Sequence, residues 1–562
     1  MNQYNPPTVT RLQNDFCDHL QRGRNVLDPS LKQKEVLQLV ISNGQLGSIQ
    51  ELGKSNATAT TLRNTANRFY RERNFEDALT CYNESICYAE PDSDQLAMGY
   101  ANRSAVYYEQ GEYEFALYNI DLAKRNNYPE KLMPKLLARE DSCKQQIAAG
   151  HSKGTVPCPR MDINLDTSPT IPFMADEIGM KCDPKFGRGL YAERDFNPGD
   201  IILNEKIKLC GLDYYFTYQC CNQCGTKFNY SLIPCPTCPF FMFCSQECLE
   251  LNWKLYHRFE CSVATKLCSV SGISDMLLPR LFLYGLSQFE DDLQTMMAFC
   301  EPEVIDASNP LTLNLTNCNR LEVFKALHNT VPHIDVYMED VVKSTAASYY
   351  AVFLMNPTVS SIFRTGDHRR FFLRSLLKNT RVAFALLTSS ANAEGHTINV
   401  IRPIGSLLNH SCDPNAIVSI DSGRAKVILL RPVRKGEQIF TTNGPAWWLA
   451  EVSRELHFKC QCVACDLGPG GREWRKLMDR QFPPNALQDF RTLQAIINRE
   501  ETRIAAMLIA IQQFIKRYAH LHPQKKTFGS VLKLYNFFLC KADRDGNMAM
   551  NRTMLQAKFV EQ

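Results

Sequence analysis

Between residues 62 and 125, small residues alternate with aromatics at a spacing that suits packed helices. LRNTANRFYRERNFEDALTCYNESI matches YANRSAVYYEQGEYEFALYNIDLA at a shift of 38 residues. Ala66 maps to Ser104, Phe69 to Tyr107, Phe75 to Tyr113, Ala78 to Ala116 and Leu79 to Leu117. The pattern predicts helix pairs, either as a true repeat or as an ordinary amphipathic hairpin. KLMPKLLAREDSCKQQIA predicts a further helical unit. Near the other end, LQDFRTLQAIINREETRIAAMLIAIQQFIKRYAHLH carries apolar residues at i, i+3 and i+4 and predicts more helix.

The middle of the chain reads differently. NAIVSI alternates, DSG makes a turn and RAKVILLRPV returns, which predicts a β-hairpin. RKGEQIF gives another turn and a short strand. Far upstream, LYAERDFNPGDIILNEKIKL has the same grammar, with Gly before an acid between short apolar strands. These are read as two β segments of one domain, separated by a long insertion. GHSKGTVPCPRMDINLDTSPTIP is rich in Pro, Gly, Ser and Thr and reads as a linker; DLGPGGREW marks a second break.

At 562 residues the chain exceeds what one hydrophobic core serves. The net charge of +4 gives no electrostatic case for nucleic acid. No run of 18 apolar residues occurs, so a membrane span is not expected. MNQYNPPTVTRLQND lacks the basic and apolar regions of a secretory signal. The 23 cysteines are therefore read as metal ligands rather than disulfides.

Their clustering supports this. CNQCGTKFNYSLIPCPTCPFFMFCSQECLELNWKLYHRFEC contains Cys221-x2-Cys224, Cys235-x2-Cys238, Cys244-x3-Cys248 and His257-x3-Cys261. Structural zinc takes four Cys or His ligands, so these eight fit two ions. The competing reading is a metal-free cysteine-rich loop, and Cys220 competes with Cys221 as partner of Cys224. SQECLELNWKLYHRF reads as a short helix bearing Cys248 and His257. A second cluster, HFKCQCVACD, supplies Cys460, Cys462 and Cys465, one short of a tetrahedron. Cys412 in SLLNHSCDPNA would complete it; a small buried thiol is the alternative. In KFGRGLY, Gly187 and Gly189 flank Arg188, which allows close backbone approach to a ligand or makes a plain turn.

GRGL, NHSCDPN, RKGEQI and CxCxxC, with the cysteine-rich segment between the two halves, resemble a SET domain of the SMYD family. The resemblance spans about residues 180–470. The cysteine-rich segment resembles a MYND zinc finger, including Trp253. The helix pairs resemble tetratricopeptide repeats, whose period is about 34. Together these match the layout of the fourth SMYD subgroup, as a divergent member.

The resemblance implies a multidomain α+β protein. Its parts would be an N-terminal helical segment (1–60), TPR-like repeats (61–148), a linker (149–180) and the first SET part (181–220). The MYND finger (221–261), a helical SET insertion (262–400) and the SET core (401–445) follow. A post-SET zinc segment (446–467) and a C-terminal helical domain (468–562) complete it.

It further implies interleaved zinc sites, Cys221, Cys224, Cys244 and Cys248 on one ion and Cys235, Cys238, His257 and Cys261 on the other. Cys412, Cys460, Cys462 and Cys465 would hold a third. S-adenosylmethionine would meet Gly187, Arg188 and Gly189 at its amino-acid end, Asn409 and His410 in a knot-like crossing of chain, and Phe458 at its adenine. The implied activity is protein-lysine N-methyl transfer.

Three features depart from the family pattern. The position of the usual catalytic Tyr holds Asn443. INVIRP replaces a Gly-rich stretch ending in Tyr-Pro, and Leu456 stands where some members carry an aromatic. The rival reading is a non-catalytic adaptor that binds partners through finger and repeats. A monomer is expected, cytoplasmic and nuclear, with a protein substrate and with peptide or protein partners of the finger and repeats. Direct nucleic-acid binding is not expected, because the Lys and Arg near the finger lie among Glu247, Glu250 and Glu260.

Overall fold

The computed structural model describes residues 49–562 except 155–160, 213–216, 228–229, 271–275, 301–308, 317–319, 329–335, 387, 392–396, 443–445, 448–459, 500–502 and 561–562. Five helices open it: α1 (Asn56–Arg71), α2 (Phe75–Tyr88), α3 (Asp94–Glu109), α4 (Tyr113–Arg125) and α5 (Met133–Ala148). The 38-residue shift holds in three dimensions. Ser55 and Ser93 each cap a helix, accepting from the amides of Thr58 and Leu96. Arg73 and Gly111 each take the left-handed conformation at the turn between helices. Ala66, Ser104, Ala78 and Ala116 are fully buried where helices touch. Helix α1 starts at Asn56; most of the expected N-terminal helical segment (1–60) lies outside the described residues.

The segment expected to be a linker is exposed over most of its described length but is pinned to the sheet at a few points. Ile171 is buried, and Met174 makes a bridge to Leu203. Asn164 Oδ1 accepts from the Ile201 amide at 2.9 Å. Short polar side chains here bond to backbone, and so close the edge of a sheet.

Four strands follow: β1 (Ile178–Asp183), β2 (Gly187–Ala192), β3 (Ile201–Lys206) and β4 (Leu209–Leu212). The cysteine-rich segment adds β5 (Ile233–Pro234), β6 (Met242–Phe243), α6 (Gln246–Asn252) and a π-helical turn over Trp253–His257. Then come α7 (Ala264–Val270), α8 (Leu277–Gln288), α9 (Leu293–Cys300), α10 (Arg320–His328), α11 (Val336–Leu354), α12 (Pro357–Ile362) and α13 (Gly366–Leu386). The expected all-helical insertion to residue 400 ends early, in β7 (Thr388–Ala391) and β8 (Thr397–Ile401). Alternating INVI pairs with β4, which short periodicity alone did not reveal.

The rest is β9 (Asn409–His410), β10 (Ala416–Asp421), β11 (Arg424–Leu429), β12 (Phe440–Thr441), α14 (Pro469–Met478), α15 (Pro484–Ile497), α16 (Ile504–Tyr518) and α17 (Phe528–Phe559). No helix among the described residues is long and apolar enough to cross a membrane.

The two β segments form one layer. β3 pairs with β11 in the order β10-β11-β3, and β4 pairs with β8 in the order β4-β8-β7. The β10–β11 hairpin turns at Ser422 and Gly423, both at positive φ, as a two-residue turn of matching twist requires. Gly199 and Gly436, the glycines of the two look-alike turns, have φ of 91° and 88°.

The finger is fastened to this layer by Arg280 of α8. Its guanidinium donates to Glu260 Oε1 at 2.7 Å and Oε2 at 3.0 Å, and to the carbonyls of Cys210 at 2.7 Å and Asn222 at 3.1 Å. Both charges are fully buried. Burial works against the Glu260 carboxylate, but Arg280 outweighs it and holds the carboxyl below its ordinary range.

Helices α14 to α17 cover the other side of the sheet, against Ile201, Ile417, Ile428 and Trp447. Helix α17 docks through a buried polar cluster. Asp543 takes the Lys426 ammonium and, at 2.9 Å, the Ser419 hydroxyl; Asn547 donates to Asp421. The far end of α17 reaches α4, where Arg552 grips Glu112 with two contacts of 2.9 Å.

Two outcomes follow for stability. Arg280→Met should leave Glu260 buried and unpaired, lowering stability by about 3–5 kcal/mol; a double change with Glu260→Met should recover much of it in a thermal melt. Burial, with Asp543 nearby, raises the Asp421 carboxyl to about 6. A raised carboxyl favours the fold when protonated, so its contribution falls as pH rises from about 4 to 6. Asp421→Asn should therefore stabilise the protein by about 1–3 kcal/mol at pH 7.5 and by nothing below pH ~4, read by denaturant unfolding.

Candidate functional site

The NHSCDPN stretch lies at the crossing of the two halves. β9 runs parallel to β12, with Asn409 beside Phe440 and His410 beside Thr441. The Ser411 amide donates to the Thr441 carbonyl at 2.8 Å. Asn415 clamps the same strand, donating to the Gln438 carbonyl at 2.9 Å and accepting from the Phe440 amide at 2.8 Å. The opposite edge of residues 436–439 pairs with β2: the amides of Ile439 and Gly436 donate to the carbonyls of Leu190 and Ala192, each at 2.8 Å.

Asn409 Nδ2 reaches across to the Arg188 carbonyl at 2.9 Å. A Cβ on Gly189 would sit 2.8 Å from Asn409 Nδ2 and 1.9 Å from Gln438 Nε2, so any side chain there would push these two amides out of place. Gly187 has φ of 72° and open space where a Cβ would point. GRG itself opens strand β2 directly after a turn, and what approaches Gly189 closely is the pair of protein side chains Gln438 and Asn409.

The structure brings Gly187, Arg188, Gly189 and Asn409 together. His410 is buried with its Nε2 3.3 Å from Cys412 Sγ, and burial lowers its basicity. Its imidazole therefore faces the sulfur cluster. Phe458 and Asn443 lie outside the described residues, as does Leu456.

Arg402, in the INVIRP departure, is buried beside Glu205. Glu205 accepts from the amides of Ile404 at 3.3 Å and Gly405 at 3.0 Å. Burial pushes the Glu205 carboxyl up and the Arg402 guanidinium down to about 10, each opposed by the other's charge.

Three groups of four ligand atoms lie within 4.8 Å of one another: Cys221, Cys224, Cys244 and Cys248; Cys235, Cys238, His257 and Cys261; Cys412, Cys460, Cys462 and Cys465. Cys248 and His257 fall in different groups for a helical reason. The helix carrying Cys248 gives way to the wider π turn at Trp253–His257, and this carries His257 to the other group. In the third group Cys412 Sγ lies 3.6 Å from Cys465 Sγ and 4.0 Å from Cys460 Sγ, clipping the crossing to the segment after it.

Each group holds one thiol driven far below its ordinary value by hydrogen bonds from neighbouring thiols: Cys248, Cys235 and Cys462. Sulfurs packed this closely repel as thiolates unless a cation lies between them, and four Cys or His donors suit tetrahedral zinc. Glu260 Oε2 is 3.6 Å from His257 Nδ1, on the side away from the sulfurs, where a carboxylate orients a metal-bound imidazole.

Sequence reading missed the anchor of the crossing. Asp413 is buried and accepts from Trp447 Nε1 at 2.8 Å, Trp474 Nε1 at 3.1 Å and His522 Nε2 at 2.8 Å. Burial opposes its charge, but His522 and the Trp447 N–H more than offset this and keep its carboxyl low. The aromatics Phe186 and Phe440 were also missed; they meet edge to face at 5.1 Å beside Gly187. The usable signal for both was position, since all three residues sit inside or next to the quoted motifs.

Comparison with known proteins agrees with this geometry. The family model for the SET domain matches residues 187–442. Human protein-lysine N-methyltransferase SMYD4 is 24% identical, over 74% of this chain and 67% of its own length. Histone-lysine N-methyltransferase ASHR1 of Arabidopsis thaliana is 25% identical, over 52% of this chain and 56% of its own. Human N-lysine methyltransferase SMYD2 is 23% identical, over 54% and 64%. With the crossing and the sulfur clusters, these matches show a SET domain over residues 187–442, in a chain similar over most of its length to SMYD-type proteins.

Proposed function

We propose that this chain is an S-adenosylmethionine-dependent protein-lysine N-methyltransferase of SMYD type. The observation that carries the reading is the crossing, where Gly187 faces open space next to the tight meeting of Gly189 with Asn409 and Gln438. Buried Gln438 Nε2 is a donor without a partner among the described atoms there, which suits a ligand rich in acceptors.

Gly187, Arg188, Gly189 and Asn409 would hold the cofactor, with Phe186 and Phe440 as an aromatic wall and Phe458 at the adenine. The bound cofactor supplies a methyl group on a positively charged sulfur. The chain's part is to orient the lysine amine and keep water out. An amine with an ordinary pKa near 10.4 must be neutral to react. Asn443, at the position of a family tyrosine, offers an amide that donates and accepts but is shorter than a phenol.

The residues from 221 to 261 act as a MYND-type finger in this reading, and α1 to α5 as TPR-like repeats. Three zinc ions would be structural, because each group already supplies four ligands.

Calorimetry on zinc-loaded protein should give S-adenosylmethionine binding on the order of micromolar, weakened about tenfold or more by Asn409→Ala. No binding by a folded, zinc-loaded protein would favour the adaptor reading. Metal analysis should return three zinc ions per chain, and two for Cys412→Ser. If only the hydroxyl is missing, Asn443→Tyr should raise methyl transfer to a lysine-containing protein; no gain on a range of such proteins would count against that account.

A further inference from the structure

The inner face of the helix array holds a piece of main chain. Arg103 of α3 is fully buried. Its guanidinium donates to Asn119 Oδ1 at 2.6 Å and Asn83 Oδ1 at 2.7 Å, and to the carbonyls of Leu232 at 3.0 Å and Tyr230 at 3.3 Å. Asn119 Nδ2 donates to the Tyr230 carbonyl as well, at 2.8 Å. The Tyr230 ring stacks on Phe115 at 4.1 Å and meets Tyr118 edge-on at 5.6 Å.

Asn83, Arg103 and Asn119 come from α2, α3 and α4, so consecutive helices contribute to one reading face. The hydrogen bonds of Arg103 go to neutral oxygens. A buried guanidinium without a carboxylate is costly unless its donors are satisfied, and here the carbonyls of an excursion satisfy them. That excursion is the stretch of finger between Cys224 and Cys235. It leaves the sulfur clusters, and Tyr230 enters the array. Side chains that bind carbonyls read backbone rather than sequence, and only the aromatic pocket sets a residue type.

We propose that the face formed by α2, α3 and α4 is a peptide groove that reads main chain, and that the chain fills it with its own Tyr230–Leu232. A protein partner bearing an aromatic–x–aliphatic segment would have to displace that segment. The groove is thus occupied from within. The inference is independent of methyl transfer.

The test uses a fluorescent peptide of residues 226–234 (TKFNYSLIP) and the full-length, zinc-loaded chain, read by anisotropy. Self-occupancy lowers apparent affinity by the fraction of open groove. Tyr230→Gly should therefore bind the peptide at least about tenfold more tightly than the unmodified chain, and adding Arg103→Met should abolish the gain. Equal binding to both chains, or none to Tyr230→Gly, overturns the proposal. A second measurement needs no variant. In the unmodified chain, excess unlabelled peptide should speed amide exchange in fragments covering residues 230–240; unchanged exchange overturns the proposal even if Tyr230→Gly fails to fold.

Discussion

Two halves of one β layer, far apart in sequence, have to meet, and everything else in the molecule is arranged around that meeting. β4 ends at Leu212 and its partner β8 begins at Thr397. β3 pairs with β11 across a similar gap. Loop closure over such lengths costs entropy that grows only slowly with length, so a large insertion is tolerable. It is tolerable only if the insertion orders itself. The finger can do this through its sulfur clusters, the helical insertion through its core, and Arg280 joins both to the sheet through Glu260 and the Cys210 carbonyl. Where the halves cross, Gly189 and Asn409 form the candidate ligand edge, so that edge exists only once the long-range pairing is made.

How much of this was legible follows from which interactions are local. Cysteine pairs two or three residues apart announce metal, because ligand geometry fixes short spacing. The repeat was legible for a similar reason: Ala66 and Ser104 must both be small where helices touch. The β10–β11 hairpin was written in its turn residues. Interleaving of the two finger sites was not written in the spacing, since any of the three ways of dividing four pairs between two ions fits it. Resemblance supplied it.

Other features depend on residues that meet only in the fold. Asp413 draws donors from Trp447, Trp474 and His522, up to 109 residues away, and no local pattern announces such a set. The stretch from 161 to 178 is mostly exposed or half-buried, as a linker would be, but is pinned to the domain at a few residues. Its Pro, Ser, Thr and Asp content is that of a linker, yet Ile171 and Met174 are core residues and the polar side chains bond to backbone. Composition reports what a segment contains, and burial depends on what lies beside it. Arg402 is a similar case: a residue that breaks the family pattern finds Glu205 on a strand far upstream in the sequence.

Helix α17 has a mechanical consequence. It is held at Asp543 by the sheet and at Arg552 by the helix array. Those anchors are about 13 Å apart along a rigid axis at 1.5 Å per residue. A helix pinned at two points is a lever. A tilt of about 5° at the sheet moves the array end by about 1 Å, comparable with the tolerance of a two-point arginine contact. Strain at the β10–β11 hairpin and the seating of the array are thus one mechanical degree of freedom, carried by a single helix.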